Sequence, residues 1–198
     1  NIKEVVDSLH IKKNPDKKPF VLRIGDARLD DVSVIIERQA HRDPSYGIDY
    51  GDMHINHISA FVDDFYLDRG AVGGYIRNLS AIEHCGFMVQ NCTGHFFVDR
   101  GVVKFEDFEV MAENSDIRLR SFALRGEDWT SYKDFIHNVT MEGEAYKSAV
   151  STDDIAHFAP RLLPWRLSAR DINLKVKGTV ADMVVDVDNV TFGHESSL

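Results

Sequence analysis

The chain has 198 residues, 43% hydrophobic and 28% charged, with apolar residues spread along its length, which excludes a disordered chain and fits one domain or a slice of something longer. Thirty-two acidic against 23 basic residues give a net charge of −9, which excludes a surface that tracks nucleic-acid phosphates. No apolar run reaches the ~18 residues of a membrane-spanning helix.

Residues 1–19 read as an edge strand and a polar loop, the latter being Asn14-Pro15-Asp16-Lys17-Lys18-Pro19. Strands are predicted at 20–24 and 28–37, joined at Gly25-Asp26, then a loop at 41–47. Further strands are expected at 48–52 and 54–67, with Asp68-Arg69-Gly70 as a turn, and at 71–79, 86–91 and 94–98. Asp99-Arg100-Gly101 repeats the turn and leads into the clearest pattern in the chain. There, residues 102–112 alternate apolar and charged side chains, Glu113-Asn114-Ser115-Asp116 makes a polar turn, and Ile117-Arg118-Leu119-Arg120 alternates again. That is a β-hairpin with Val103, Phe105, Ile117 and Leu119 on one face and Lys104, Glu106, Arg118 and Arg120 on the other.

Helix is expected at 130–136 and 152–158, the second with Ser151 or Thr152 as cap, Asp153 and Asp154 in the first turn, and Pro160 and Pro164 as stops. Strand texture occupies 139–145 and returns at 166–176, 180–187 and 190–192. Strands joined by short turns, without alternating long helices, predict an all-β fold.

Chemical constellations are weak. Asp30-Asp31 and Asp63-Asp64 are neighbours whose side chains in a strand point to opposite faces, and Asp153-Asp154 fits a helix start. His54 and His57 are split by the same parity, and His84, Cys85, Cys92 and His95 lack the short cysteine spacing of structural zinc sites. Cys85 and Cys92, seven residues apart, read as two unpaired or incidentally paired thiols. There is no Gly-x-Ser-x-Gly elbow and no phosphate-binding glycine loop, so no catalytic residue, metal or cofactor is expected. Four Asn-x-Ser/Thr triplets, at Asn78, Asn91, Asn138 and Asn189, read as chance patterns. Trp129 and Trp165 read as plugs at the ends of the sheet.

Several segments, in order, resemble the AsmA-like superfamily and within it the TamB (translocation and assembly module) family of Gram-negative bacteria, nearest to the Bacteroidetes type. They are Leu79 to Phe87, the hairpin with Glu113-Asn114-Ser115-Asp116-Ile117, Val150 to Pro160, Ile172 to Gly178, Asp182-Met183-Val184-Val185 and Val190 to Gly193. The resemblance runs from about Phe20 onward. It implies one segment, residues 1–198, excised from a longer chain: an elongated antiparallel sheet curled into an apolar, taco-like groove, with one or two short helical inserts. It also implies a periplasmic location, with the full-length protein anchored in the inner membrane by an N-terminal helix. The implied role is non-enzymatic: shielding phospholipid acyl chains between membranes and supporting outer-membrane biogenesis. The partners would be acyl chains, adjoining segments of the same chain and an outer-membrane assembly-family β-barrel.

The residue pattern is compatible with that role, because an acyl chain needs a continuous dry surface while its headgroup stays in water. Each covered Å² of apolar surface is worth about 25 cal/mol, and each buried methylene about 0.8 kcal/mol. The candidate wall is Val103, Phe105, Ile117, Leu119, Val139, Met141, Ile172, Leu174, Val176, Val185 and Val187. The same residues suit the core of a closed sandwich, and the competing reading is a secreted structural or carbohydrate-binding β-sandwich module with Trp129 and Trp165 as a sugar platform.

Overall fold

The computed structural model describes residues 20–37, 46–49 and 51–194; the strand and loop expected at 1–19 lie outside these. Nine strands form one antiparallel sheet in strict sequence order. They are β1 (Val21–Glu37), β2 (Asp52–Asp68), β3 (Ala71–Glu83), β4 (Met88–Asp99), β5 (Val102–Ala112), β6 (Asp116–Arg125), β7 (Thr140–Ser151), β8 (Leu167–Gly178) and β9 (Met183–His194). The all-β expectation holds. Among the described residues the sheet is open, with β1 and β9 as its edges, and no second sheet lies over it, so no sandwich core forms among them.

Several predicted breaks are absent. Gly25-Asp26 lies inside one long β1, residues 86–98 contribute a single β4, and 183–194 a single β9. Conversely, residues 48–49 are not strand. A glycine or polar residue did not end these strands because the neighbouring strand holds the backbone ladder through it. The two Asp-Arg-Gly turns are two-residue hairpin loops. Arg69 and Gly70 have φ of 51° and 93°, and Arg100 and Gly101 of 35° and 84°, so both central residues are left-handed, matching the twist of the flanking strands. Gly101 is doubly required, since a Cβ there would lie 2.7 Å from the Asp128 backbone.

Among the described residues, helix is confined to two inserts at opposite ends of the sheet. The first joins β6 to β7 and contains a 3-10 turn (Trp129–Asp134) and one α-turn (Phe135–Asn138). Asp128 caps it by accepting from the Thr130 amide at 2.7 Å, and Tyr132 Oη donates to Gly101 O at 3.1 Å. The second insert joins β7 to β8. Ser151 caps the α-turn Thr152–Ile155 by accepting from the Asp153 amide. Pro160 and Pro164 do not terminate that turn; they belong to a further 3-10 turn, Pro160–Trp165, in which Pro160 takes a first-turn position, where its missing N–H costs nothing.

The sheet is interrupted by β-bulges that follow a rule. Asp31, His57, Asp64, Asp107, Lys147 and Asp171 all have φ between 45° and 53° inside strands; four of them are aspartates, whose short polar side chain tolerates this region better than most. Each bulge frees backbone groups, and neighbouring side chains satisfy several of them. Ser59 Oγ accepts from the Asp31 amide at 3.4 Å, Asn173 Oδ1 from the Lys147 amide at 3.1 Å, and Ser148 Oγ from the Arg118 amide at 2.9 Å. Ser148 is 2% exposed, so water cannot replace it. Ser148→Ala should therefore destabilise the protein by about 1–3 kcal/mol in urea unfolding, whereas Ser59→Ala, at a solvent-exposed bulge, should cost well under half as much.

Candidate functional site: the apolar face of the sheet

Residues opposite each other in an antiparallel ladder share a face, so the register defines what each side of the sheet presents. One row runs across all nine strands: Leu22, Leu67, Val72, Val98, Val103, Leu124, Met141, Gly178 and Met183. The next contains Gly74, Phe96, Phe105, Phe122, Gly143, Val176 and Val185. A third contains Phe108, Leu119, Ala145, Leu174 and Val187. Beyond it, Cys92 pairs with Val110 and Val110 with Ile117, and Ser148 pairs with Ile172.

Strict alternation would place Phe105 and Phe108 on opposite sides. The bulge at Asp107 returns them to one side, and their ring centroids are 4.5 Å apart. Glycines accommodate the rings: a Cβ at Gly143 would lie 2.6 Å from the Phe122 ring, and one at Gly94 2.8 Å from the Phe108 ring. Phe96, Phe108, Phe122 and Leu124 were not in the sequence-derived wall. The adjacent acids Glu106-Asp107 before Phe108 were the signal that the period breaks there.

Ten of the eleven candidate wall residues lie on this face. Val139 does not. It follows the α-turn Phe135–Asn138 as its C-cap and is 0% exposed, so it seals the first insert and offers no surface to a ligand. Of the others, Ile172 is buried, Val185 and Val187 are exposed, and the rest are half-buried. Few apolar side chains on this face are buried, Cys92, Phe108, Ala112 and Ile172 among them.

The opposite face is ionic. Glu144 lies 3.0 Å from Arg120 and 3.9 Å from Lys175. Asp63 receives Arg77 at 2.7 Å, whose guanidinium also sits 4.3 Å above the Phe61 ring. A shallow depression of about 380 Å³ on this side is lined by Lys104, Glu106, Glu142, Glu144, Lys177 and Asp186 among others. Alternating signs across it leave no site for one charge type. Trp129 and Trp165 belong to the two inserts at opposite ends and form no common platform.

The titratable residues gather where the β3–β4 turn meets the second insert. Glu83 is buried, which by itself raises its carboxyl pKa. Hydrogen bonds from the Cys85 thiol and amide, the His54 amide and the His84 ring outweigh burial and hold it below the ordinary carboxylate value. The Cys85 thiol, 3.5 Å from His157 Nδ1, is pushed up to about 11 by burial and then by the Glu83 carboxylate. Burial pushes Cys92 to about 11 as well. Both cysteines are free, and neither is a thiolate nucleophile at neutral pH. Among the described residues, Glu37, Asp52 and His54 bring potential metal-ligating atoms within 4.8 Å of one another; His54 Nε2 is already 2.8 Å from Asp52 Oδ1.

Two outcomes follow. Alkylation of either cysteine should be slow at pH 7.5 and accelerate up to about pH 11, and the Cys85→Ser/Cys92→Ser protein should still fold, read by circular dichroism. Because the folded Glu83 pKa is lowered, its contribution is present above the ordinary carboxylate range and lost as pH falls through the folded value. Glu83→Gln should therefore be less stable than the parent at pH 7, with the gap closing as both are titrated into acid.

No protein-family model matches the chain, and comparison with characterised proteins and with solved structures gives no match.

Proposed function

We propose that this chain is a non-enzymatic β-groove segment of an AsmA/TamB-like protein, shielding phospholipid acyl chains as they cross the periplasm and thereby supporting outer-membrane biogenesis. The observation that supports this reading is the apolar face itself. It is continuous over nine antiparallel strands, backed by an ionic face, and left without a covering layer among the described residues. Contiguous apolar surface of that extent needs an occupant. Hydrocarbon suits it because the face offers width and no polar anchor: covering about 100 Å² is worth roughly 2.5 kcal/mol whatever the chain's chemical detail.

In this reading the open, uncurled sheet curls only in the longer protein, where adjoining segments extend both edges and make a trough. The bulges favour such bending, since each adds local twist. An inner-membrane anchor and an outer-membrane β-barrel partner belong to those other segments.

Parity provides the test. Leu119 and Leu174 are on the apolar face, and Lys175 is on the ionic face beside Glu144. An arginine in the wall must either lie against hydrocarbon, which costs several kcal/mol, or admit water. With a photoreactive amino acid at Phe105, the parent protein should crosslink to co-purifying lipid. Leu119→Arg or Leu174→Arg should abolish that crosslink, and Lys175→Glu should preserve it. Wall variants that crosslink as well as the parent would refute the proposal, as would solvent-extracted protein free of lipid in mass spectrometry.

A further inference from the structure

The second insert separates its charges: Asp153 and Asp154 sit in its opening α-turn, and Arg161 and Arg166 follow in a part that carries no carboxylate. Between Asp154 and Asp171 lie Arg161, Arg166 and Arg170 and no carboxylate, in a chain of net charge −9. All three arginines are exposed, and none forms an ion pair with a described residue. The same stretch exposes large apolar side chains: Phe158 at 49%, Leu163 at 38% and Trp165 at 61%.

This exposed stretch is held in place at both ends. Ala156 is fully buried, the Ile48 amide donates to His157 O at 2.8 Å, and the Phe158 ring meets Phe87 edge-on at 4.8 Å. On the other side, the Leu167 amide donates to Thr152 Oγ1 at 2.9 Å. Between these anchors two prolines restrict the 3-10 turn Pro160–Trp165, and Arg166 closes it with φ of 44°. The apex is thus preformed, and little ordering entropy remains to be lost on docking.

The first insert is the internal contrast. It also exposes Trp129 and Ile136, but there Glu127, Asp128 and Asp134 outnumber Lys133. Exposed aromatic surface occurs at both ends of the sheet, and unpaired positive charge joins it at one.

We infer that the apex of the second insert is a membrane-docking loop, placing Leu163 and Trp165 in the interfacial layer of a bilayer that carries anionic phospholipid, with Arg161 and Arg166 on the headgroup phosphates. Tryptophan suits that layer because its body is apolar and its N–H needs a wet partner. Arginine suits phosphate through its planar fork of donors. A few apolar side chains alone bind a bilayer weakly; coupling them to basic charge supplies the second signal that stable attachment needs. The inference does not rest on acyl chains occupying the apolar face, since the loop sits at the end of the sheet.

Trp165 is its own reporter once Trp129 is replaced by phenylalanine. The 198-residue chain with Trp129→Phe should bind vesicles containing phosphatidylglycerol at low salt, with a blue-shifted Trp165 emission that brominated lipid quenches, and should bind phosphatidylcholine vesicles much more weakly. Arg161→Gln and Arg166→Gln should each weaken binding about fivefold, Leu163→Asp should remove it, and Ile136→Asp, on the exposed first insert, should leave it unchanged. Circular dichroism checks that each variant keeps its sheet. Four results would each overturn the inference: no binding to the anionic vesicles; undiminished binding by the double arginine variant; loss of binding in Ile136→Asp with Leu163→Asp unaffected; and bound protein whose Trp165 is not quenched, as expected were the loop a site for an acidic protein.

Discussion

A strand alternates faces every residue, so nine strands keep their apolar side chains on one side only if every departure from that period is matched by a neighbour. The structure meets this constraint with bulges. Asp107 adds a residue to β5 opposite Gly94 of β4, and Lys147 and Asp171 do the same in β7 and β8, where the register shifts around Ser148 and Ile172. Without them, Phe108, Val110 and Ala112 would turn to the ionic side, and the apolar rows would stop midway along the strands. The side chains that receive the displaced amides, Ser59, Ser148 and Asn173, are therefore as necessary to the apolar face as the phenylalanines that compose it.

Stability in such a sheet comes from the ladder and from same-face neighbours rather than from a deep core. Among the described residues, the fully buried side chains above a methyl in size are Val139, Ser148 and Ser151, and all three lie at inserts or bulges. The inserts act as clasps across several strands. Buried Asp154 accepts from the Asn114 amide at 2.9 Å, and Ser115 Oγ accepts from the Ser151 amide at 3.0 Å, tying the β5–β6 turn to the β7–β8 connection. At the other end, the Ala181 amide reaches Ile136 O at 3.1 Å. Each clasp fixes the ends of strands and leaves the apolar face uncovered, which the proposed shielding of hydrocarbon requires.

The ionic face makes the sheet one-sided in practice. Cross-strand pairs such as Glu109 with Arg118 and Glu144 with Lys175 add modest stability individually, since exposed pairs contribute about 1 kcal/mol or less. Their larger effect is on solubility and register: a one-residue slip would bring charge onto the apolar side, so the wrong pairing is penalised along the whole strand.

The sequence by itself determined the all-β class, the sharp turns at Arg69-Gly70 and Arg100-Gly101, the hairpin over residues 102–120, a cap at Ser151 or Thr152 and ten members of the apolar face. Each of these rests on local chemistry: alternation, left-handed turn residues, or a side chain reaching an amide two residues away. Tertiary structure decided the rest. That Gly25 continues a strand, that Pro160 and Pro164 build a turn instead of ending one, and that Val139 is sealed under an insert all depend on what the neighbouring segment supplies. Above all, the face on which Phe108 lies is set by a bulge at Asp107, and a bulge is defined by the partner strand being one residue shorter. That relation between two segments cannot be read from the period of either one.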